Sequence, residues 1–425
     1  MELFITVSGV IYLAALAFFL ALSFPRLMCW THAFKSQPRL KNEKQNKLAV
    51  LIPARNESLS VGKLFEDICA QSYPRESFDV HVIVSDPADP TVKMAEKFGF
   101  FVKVVVEQTC KSDALDACLG DILSSAAFGY DAYIIIDADC GLDADFLAEM
   151  NNALSTGADI ICSKKIVKNY FYGSKKECPL SACCNGLIWT LLDNMGNKYK
   201  SAKGYPCFTV GTGLMLADRV IREKGGWPYK QTLTEDVELM HEAILDHRKF
   251  FYYEHAVLYM EEAQKLSVTN KRRRRWLTGV VQSERIYRNQ TSERCSFGER
   301  YYTSALNYIY GYVGVSVIYT LLMAITAAVL CISGSELWAV ALGLAASGVG
   351  IIYLSFFVMT LLALMCERKN IKLSPLRFVA LALIHPLFYM QYIYIVGKPL
   401  LFGTRKKSDE WEVIERVNFD NTKEN

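Results

Sequence analysis

Two carboxylates one residue apart, Asp137 and Asp139, close the apolar run Tyr133-Ile134-Ile135-Ile136. At that spacing they can share one hard divalent cation, directly or through water, and such a cation neutralises a diphosphate. An Ile-rich run bounded by polar residues reads as a buried parallel strand, and open α/β sheets bind ligands just beyond the carboxyl ends of their strands. On its own the pair is equally well a solvated turn, so its meaning depends on what the neighbouring strand ends carry. Pro53 and Glu57 stand in Ile52-Pro53-Ala54-Arg55-Asn56-Glu57, Asp86 follows Val84-Ser85, and Lys111 opens the helical stretch Lys111-Ser112-Asp113-Ala114-Leu115. Each is a common cap or turn residue. Parallel strands, however, present all their C-terminal ends on one side, which would gather these groups along a single edge.

The elements that must position them alternate. Strands are predicted at 48–52, 80–84, 101–106, 133–136 and 159–161, and an amphipathic helix at 61–70 with Val61, Leu64, Phe65 and Ile68 on one face. Strand and helix in alternation imply an α/β domain with a mostly parallel sheet. No Gly-x-Gly-x-x-Gly and no phosphate-binding Gly-x-x-x-x-Gly-Lys-Ser/Thr loop opens any of these helices. Farther along, Thr234-Glu235-Asp236 precedes a helical pattern through Val237, Leu239, Met240, Ala243 and Ile244, with Thr234 expected as the N-cap. An acid in that first turn is favoured by the helix dipole whether or not it also does chemistry.

Composition sets the frame. The chain has 425 residues, 52% of them hydrophobic, and a mean hydropathy of +0.14, with the apolar excess concentrated at its two ends. A formal net charge of +3 gives no indication of nucleic acid as a partner. Thirteen cysteines at irregular spacing, without paired Cys-x-x-Cys sets, fit reduced thiols better than a disulfide framework or a zinc site. Residues 3–24 carry no charge and are long enough to cross a bilayer, and Arg26, Lys35, Arg39, Lys41, Lys44 and Lys47 follow, which favours a cytoplasmic position for what comes next. Three further apolar segments, 306–332, 337–366 and 378–396, fill the C-terminal third. The loop 333–336 lacks positive charge, whereas 367–372 and Arg377 are basic and read as cytoplasmic. Pro386 is a candidate kink, and a re-entrant last segment would keep Lys398, Arg405, Lys406 and Lys407 inside. The expected units are a span at 1–25, an α/β domain at 47–262, interface helices at 263–300, spans at 301–402 and a polar tail at 403–425.

Taken together and in order, the Pro-x-x-Asn-Glu opening, the Lys111 helix start, Asp137-Ala138-Asp139, Gly211-Thr212-Gly213, Gly225-Gly226-Trp227, Thr234-Glu235-Asp236 and Arg272-Arg273-Arg274-Arg275-Trp276 resemble the inverting family-2 glycosyltransferases of the GT-A fold. The spacing is similar to that of the membrane-embedded synthases of cellulose, chitin, hyaluronan and poly-N-acetylglucosamine. The resemblance implies a UDP-sugar donor held by Pro53, Glu57, Asp86, Lys111, Asp137 and Arg275. It implies Mg²⁺ or Mn²⁺ at Asp137 and Asp139, Asp236 as general base, and an acceptor at Glu235, Arg272 and Trp276. Inversion needs one carboxylate to take the proton of the attacking hydroxyl while cations receive the departing diphosphate, for which Arg offers bidentate donors. Trp276 presents a face for a sugar ring or an anchor at the headgroup level, and the run 271–275 suits phosphate or anionic lipid. Residues 264–286 read as a helix on the membrane surface.

The pattern departs from the synthases at Arg272, where Gln is usual, and at Ser85, where Asp is common. Arg-x-x-Arg-Trp also resembles ceramide glucosyltransferases, which add one sugar to a lipid. The expectation is a multi-pass, plasma-membrane enzyme extending a β-linked polysaccharide or oligosaccharide on a carbohydrate or lipid acceptor. Single transfer to a lipid is the alternative. A non-catalytic sensor or transporter is a third reading; it would be expected to lose one of the acids, and a transporter to carry ionisable residues in its spans, where His385 is the sole candidate.

Overall fold

The computed structural model describes residues 2–168, 179–263, 265–304 and 311–402. The tail 403–425, with Arg405, Lys406 and Lys407, and the start of the second apolar segment at Leu306 lie outside them. Helix α1 (Glu2–Trp30) is followed by β1 (Leu48–Pro53), α2 (Val61–Cys69), β2 (Phe78–Val84), α3 (Pro90–Lys97), β3 (Phe101–Val104), α4 (Lys111–Ser124) and β4 (Ala132–Ile135). Then come the two-residue β5 (Gly141–Leu142), α5 (Phe146–Leu154), β6 (Ile160–Val167), and α6 (Leu180–Leu192), which passes through a π turn (Asp193–Asn197) into α7 (Lys198–Ala202). The chain continues with β7 (Leu214–Ala217), α8 (Asp218–Lys224), α9 (Glu235–Leu245), β8 (Phe250–Met260), α10 (Leu266–Arg294) and α11 (Phe297–Thr303). It closes with three long helices, α12 (Gly311–Ile332), α13 (Trp338–Glu367) and α14 (Pro375–Phe402).

The sheet has the order β3-β2-β1-β4-β7-β6-β8-β5. Its first half, β3 to β4, is parallel as the alternation implies. Beyond β4 it becomes mixed, because β7 runs antiparallel to both β4 and β6. None of β5, β7 and β8 was foreseen, and β6 runs six residues past the expected 159–161 segment. Alternating side chains of β1 sort into two cores: Leu48, Val50 and Ile52 pack with Leu64, Phe65 and Ile68 of α2, while Ala49 and Leu51 pack with Leu115, Cys118 and Leu119 of α4. Burial on both faces is why this strand is continuously apolar.

Four helices, α1, α12, α13 and the part of α14 at Pro375–Ile395, are long and apolar enough to span a membrane. They pack where small residues allow close approach: a Cβ at Gly311 would meet Phe19, and one at Gly348 would meet Thr320. Helix α14 continues unbroken through Pro386, so no re-entrant turn forms there. The bridge between sheet and long helices is α10. It docks on α9 at Gly279, where any Cβ would collide with Thr234, and on α14 through Asn270, which donates to Gln391 Oε1 at 3.2 Å. Five consecutive residues of a helix cover more than one turn, so the run 271–275 cannot form a single outward face. Arg273 turns inward, 1% exposed, with its guanidinium 3.8 Å from the Phe388 ring centroid.

Candidate active site

Just past β4 the backbone is fixed at two points. Ile136 N–H donates to the Leu51 carbonyl at 3.0 Å, and Asp137 N–H donates to Thr212 Oγ1 at 2.9 Å. This sets Asp137 and Asp139 beyond the sheet edge, with the Asp139 carbonyl accepting from Lys168 Nζ at 2.7 Å. Lys111, at the start of α4, reaches across: its Nζ lies 2.5 Å from Asp137 Oδ1 and 3.7 Å from Glu235 Oε1, and it also donates to the Gly211 carbonyl. Burial works against the Lys111 charge, but Asp137 and Glu235 outweigh it and hold the amine protonated well above its ordinary range. Asp137 is raised, by burial first and by Asp139 beside it, against the pull of Lys111.

Asp236 sits in the first turn of α9. Its Oδ2 accepts from Gly211 N–H at 2.8 Å and its Oδ1 from Val237 N–H at 2.9 Å. Burial and then Glu235 push its pKa up to about 7, despite the Lys111 charge and these backbone bonds. A carboxylate poised there is matched to taking a proton at neutral pH. Gly211 is the hinge of this arrangement, since a Cβ there would lie 3.0 Å from Glu235 Oε1 and 3.2 Å from Lys111 Nζ. The expected cap differs: Thr234 occupies the N-cap position without a side-chain bond, and its buried hydroxyl faces Gly279 instead. The Asp236 carboxylate takes one of the free amides of that first turn in its place.

One cavity of about 2110 Å³ joins Pro53, Glu57, Lys111, Asp137, Asp139, Glu235, Asp236, Arg272, Arg275 and Trp276. Asn56, at φ 58°, turns the first loop toward it, and its N–H donates to Asp89 Oδ2 at 3.3 Å. Asp86 is not brought to this cavity. It is exposed, and its Oδ1 accepts from Ala88 N–H at 2.8 Å within its own turn. Trp276 packs edge-on against Trp189, whose Nε1 donates to the buried Glu262 at 2.7 Å, and the Arg272 guanidinium lies 5.1 Å from the Trp276 ring centroid. Trp189 was read as core; it is core and cavity wall together.

Sequence reasoning assigned no role to Thr212, Gly211, Asp89, Lys168 or Glu262. The first two belong to the Gly211-Thr212-Gly213 motif, whose meaning depends on β7 lying next to β4, and the others carry no local signal.

Among the described residues no group of three or more His, Cys, Asp or Glu could enclose a metal alone. Asp137 and Asp139 nevertheless fit a hard divalent ion of the Mg²⁺ or Mn²⁺ kind, which is typically held by one or two carboxylates and completed by substrate phosphates and water. The negative charge of Asp139 that raises the proton affinity of Asp137 is also relieved by a cation.

A search of curated protein sequences returned no match. Among solved structures, a mannosyltransferase of Pyrobaculum calidifontis, in complex with GDP-Man and Mn²⁺, superposes with a TM-score of 0.54 at 15% identity, covering 80% of this chain and 96% of its own. Residues 1–349 of TarS from S. aureus match at a TM-score of 0.40 and 13% identity, over 81% of this chain and 92% of that one. The first shares the fold, a GT-A-like mixed sheet flanked by helices. The sequence profile named Glycosyl transferase family group 2 matches residues 133–366, more than half of the chain and inclusive of Asp137, Asp139, Asp236 and Trp276, so this protein belongs to the family-2 glycosyltransferases.

Proposed function

We propose that this chain is a membrane-embedded enzyme that moves a sugar, with inversion, from a UDP-sugar to an acceptor hydroxyl at the cytoplasmic membrane face. The observation that carries the reading is Asp236, held by Gly211 N–H beside Lys111 and Glu235, in a cavity that also reaches the long apolar helices. The acceptor oxygen attacks the anomeric carbon as Asp236 takes its proton; the bond from that carbon to the diphosphate oxygen breaks, and UDP departs. Lys111 and Arg275 supply positive charge to the leaving group, and Glu57, on another loop of the same cavity, would face the nucleoside. A divalent ion at Asp137 and Asp139 would, when bound, neutralise the diphosphate.

The walls of the cavity favour a lipid-borne acceptor. Leu20, Phe24 and Ile318 of the long apolar helices line it and are exposed, so the cavity offers apolar surface suited to a lipid chain. Elongation of a β-linked polysaccharide or oligosaccharide is the second reading, supported by the Trp189–Trp276 pair, a flat surface on which sugar rings pack. The test is to incubate membranes containing the full chain with a panel of UDP-sugars and GDP-mannose, measuring released nucleotide and product mass. Nucleotide release from one UDP-sugar with a lipid product supports the first reading, and a ladder of products supports the second. No release from any UDP-sugar, or release from GDP-mannose alone, contradicts the donor assignment.

A further inference from the structure

The cavity continues well past Asp236. Its far wall is made by the end of α1, the π turn Asp193–Asn197 with α7, and α11. Single π turns inside helices recur at functional sites, and this one puts Met195 and Gly196 on the wall. One turn farther on is Lys200, 5% exposed and lining the cavity. Among the described residues its amine forms no ion pair and donates no hydrogen bond. Burial, and then the nearby Arg26, pull its pKa down to about 8. Arg26 is the first charged residue after the uncharged stretch 3–25, and it is held in place by donating to the carbonyls of Ser304 at 2.8 Å and Tyr301 at 3.2 Å.

A buried ammonium without a counter-charge is costly to keep unless a ligand supplies the missing anion. The position of Arg26 at the end of the uncharged stretch is that of lipid headgroups, and the cationic pair shares its cavity with the apolar Leu20, Phe24 and Ile318, 46%, 59% and 68% exposed. We propose that Lys200 and Arg26 form a subsite for the phosphate of a membrane lipid, whose chains lie along the apolar cavity wall at Leu20, Phe24 and Ile318 while the rest of its headgroup extends toward Asp236. That this lipid is the sugar acceptor rests on the transfer reading above; the phosphate subsite stands on Lys200, Arg26 and the apolar cavity wall alone.

The experiment uses the full chain in neutral detergent, titrated with a short-chain phosphatidic acid, the matching diacylglycerol and inorganic phosphate, with native mass spectrometry as a second readout. Phosphatidic acid is expected to bind saturably and the other two at least about tenfold more weakly, the size expected for charge-assisted bonds to phosphate. Lys200→Met should lose about tenfold in phosphatidic acid affinity, and Lys200→Arg should retain it. Diacylglycerol binding as tightly as phosphatidic acid, or unchanged affinity in Lys200→Met, overturns the subsite. Inorganic phosphate binding as tightly as the lipid overturns the lipid occupant in favour of a free anion. Should Lys200→Met not fold, the contrast among the three probes on the unsubstituted chain decides. UDP titration of the same preparations separates the two proposals: lipid binding without UDP binding would remove the donor assignment and leave the subsite standing.

Discussion

At the sheet edge, Pro53, Glu57, Lys111 and Asp137 stand where strands end and helices begin. Across the cavity, Arg272, Arg275, Trp276 and Lys200 stand on helices that come together only through packing. The sheet side is built from short segments whose direction is fixed by parallel pairing, so side chains far apart in sequence converge by topology alone. The helical side has no such rule, and its geometry follows from which small residues let helices approach, as at Gly279 against Thr234. The sheet side is accordingly carboxylate-rich, with Lys111 and Lys168 reaching the Asp137–Asp139 segment, while the opposite wall is basic and aromatic and adjoins apolar surface. Under the proposed transfer, donor chemistry falls to the sheet side with Arg275 contributing from the helical wall, and the acceptor to the helical side, with Asp236 on α9 at the seam.

Substitutions can separate the two sides. At the seam the largest effect is expected: Asp236→Asn keeps the shape but cannot accept a proton, and turnover should fall by about 10²–10⁴. UDP affinity should stay nearly constant on the same preparation, and substantial residual transfer would place the base elsewhere. On the sheet side, Asp139→Asn should remove the gain in UDP affinity that Mn²⁺ confers, by at least about tenfold for loss of a direct ligand, while phosphatidic acid binding stays unchanged. Calorimetric titration with and without Mn²⁺ reads this, and an unaltered metal effect would reduce the Asp pair to a turn.

The joint between the sides comes next. Gly279→Ala sets a methyl against the Thr234 side chain, and such overpacking costs about 1–3 kcal/mol. Thermal unfolding in detergent should register that loss, and Thr234→Ser in the same chain should recover part of it by removing a clashing methyl. An unaffected melting temperature would mean that α10 does not dock on α9 as described.

The smallest effect is a shift in pH dependence. Asp236 must be deprotonated to act, and burial together with Glu235 raises its pKa to about 7. Activity should therefore rise as pH increases through about 7, and Glu235→Gln, by removing a negative neighbour, should move that limb to lower pH. A limb that stays in place would show that Glu235 does not act on Asp236.

How much of this was legible in the sequence follows the same division. The parallel half of the sheet, the Asp137–Asp139 pair at its edge and the four long apolar helices were all readable, because local periodicity and strand ends determine them. The reversed β7 was not, since a four-residue apolar strand carries no sign of its direction; with it went the roles of Gly211 and Thr212, which act by lying beside β4. Asp86 was assigned to the donor through the family resemblance, and its carboxylate closes its own turn. Lys200 and the inward turn of Arg273 have no sequence signature, because burial of a lone cation is a property of the helices packed around it. The basic run 271–275 reads as one feature in the sequence; in the structure all five residues line the cavity, but Arg273 is buried while Lys271, Arg274 and Arg275 are exposed.

The central claim is a single displacement at the anomeric carbon with Asp236 as base, and the stereochemistry of the product tests it most directly. With an α-linked UDP-sugar that supports turnover, the new glycosidic bond should be β, read from the anomeric proton coupling in the NMR spectrum of the product. An α-linked product from the same donor would require retention and contradict the account.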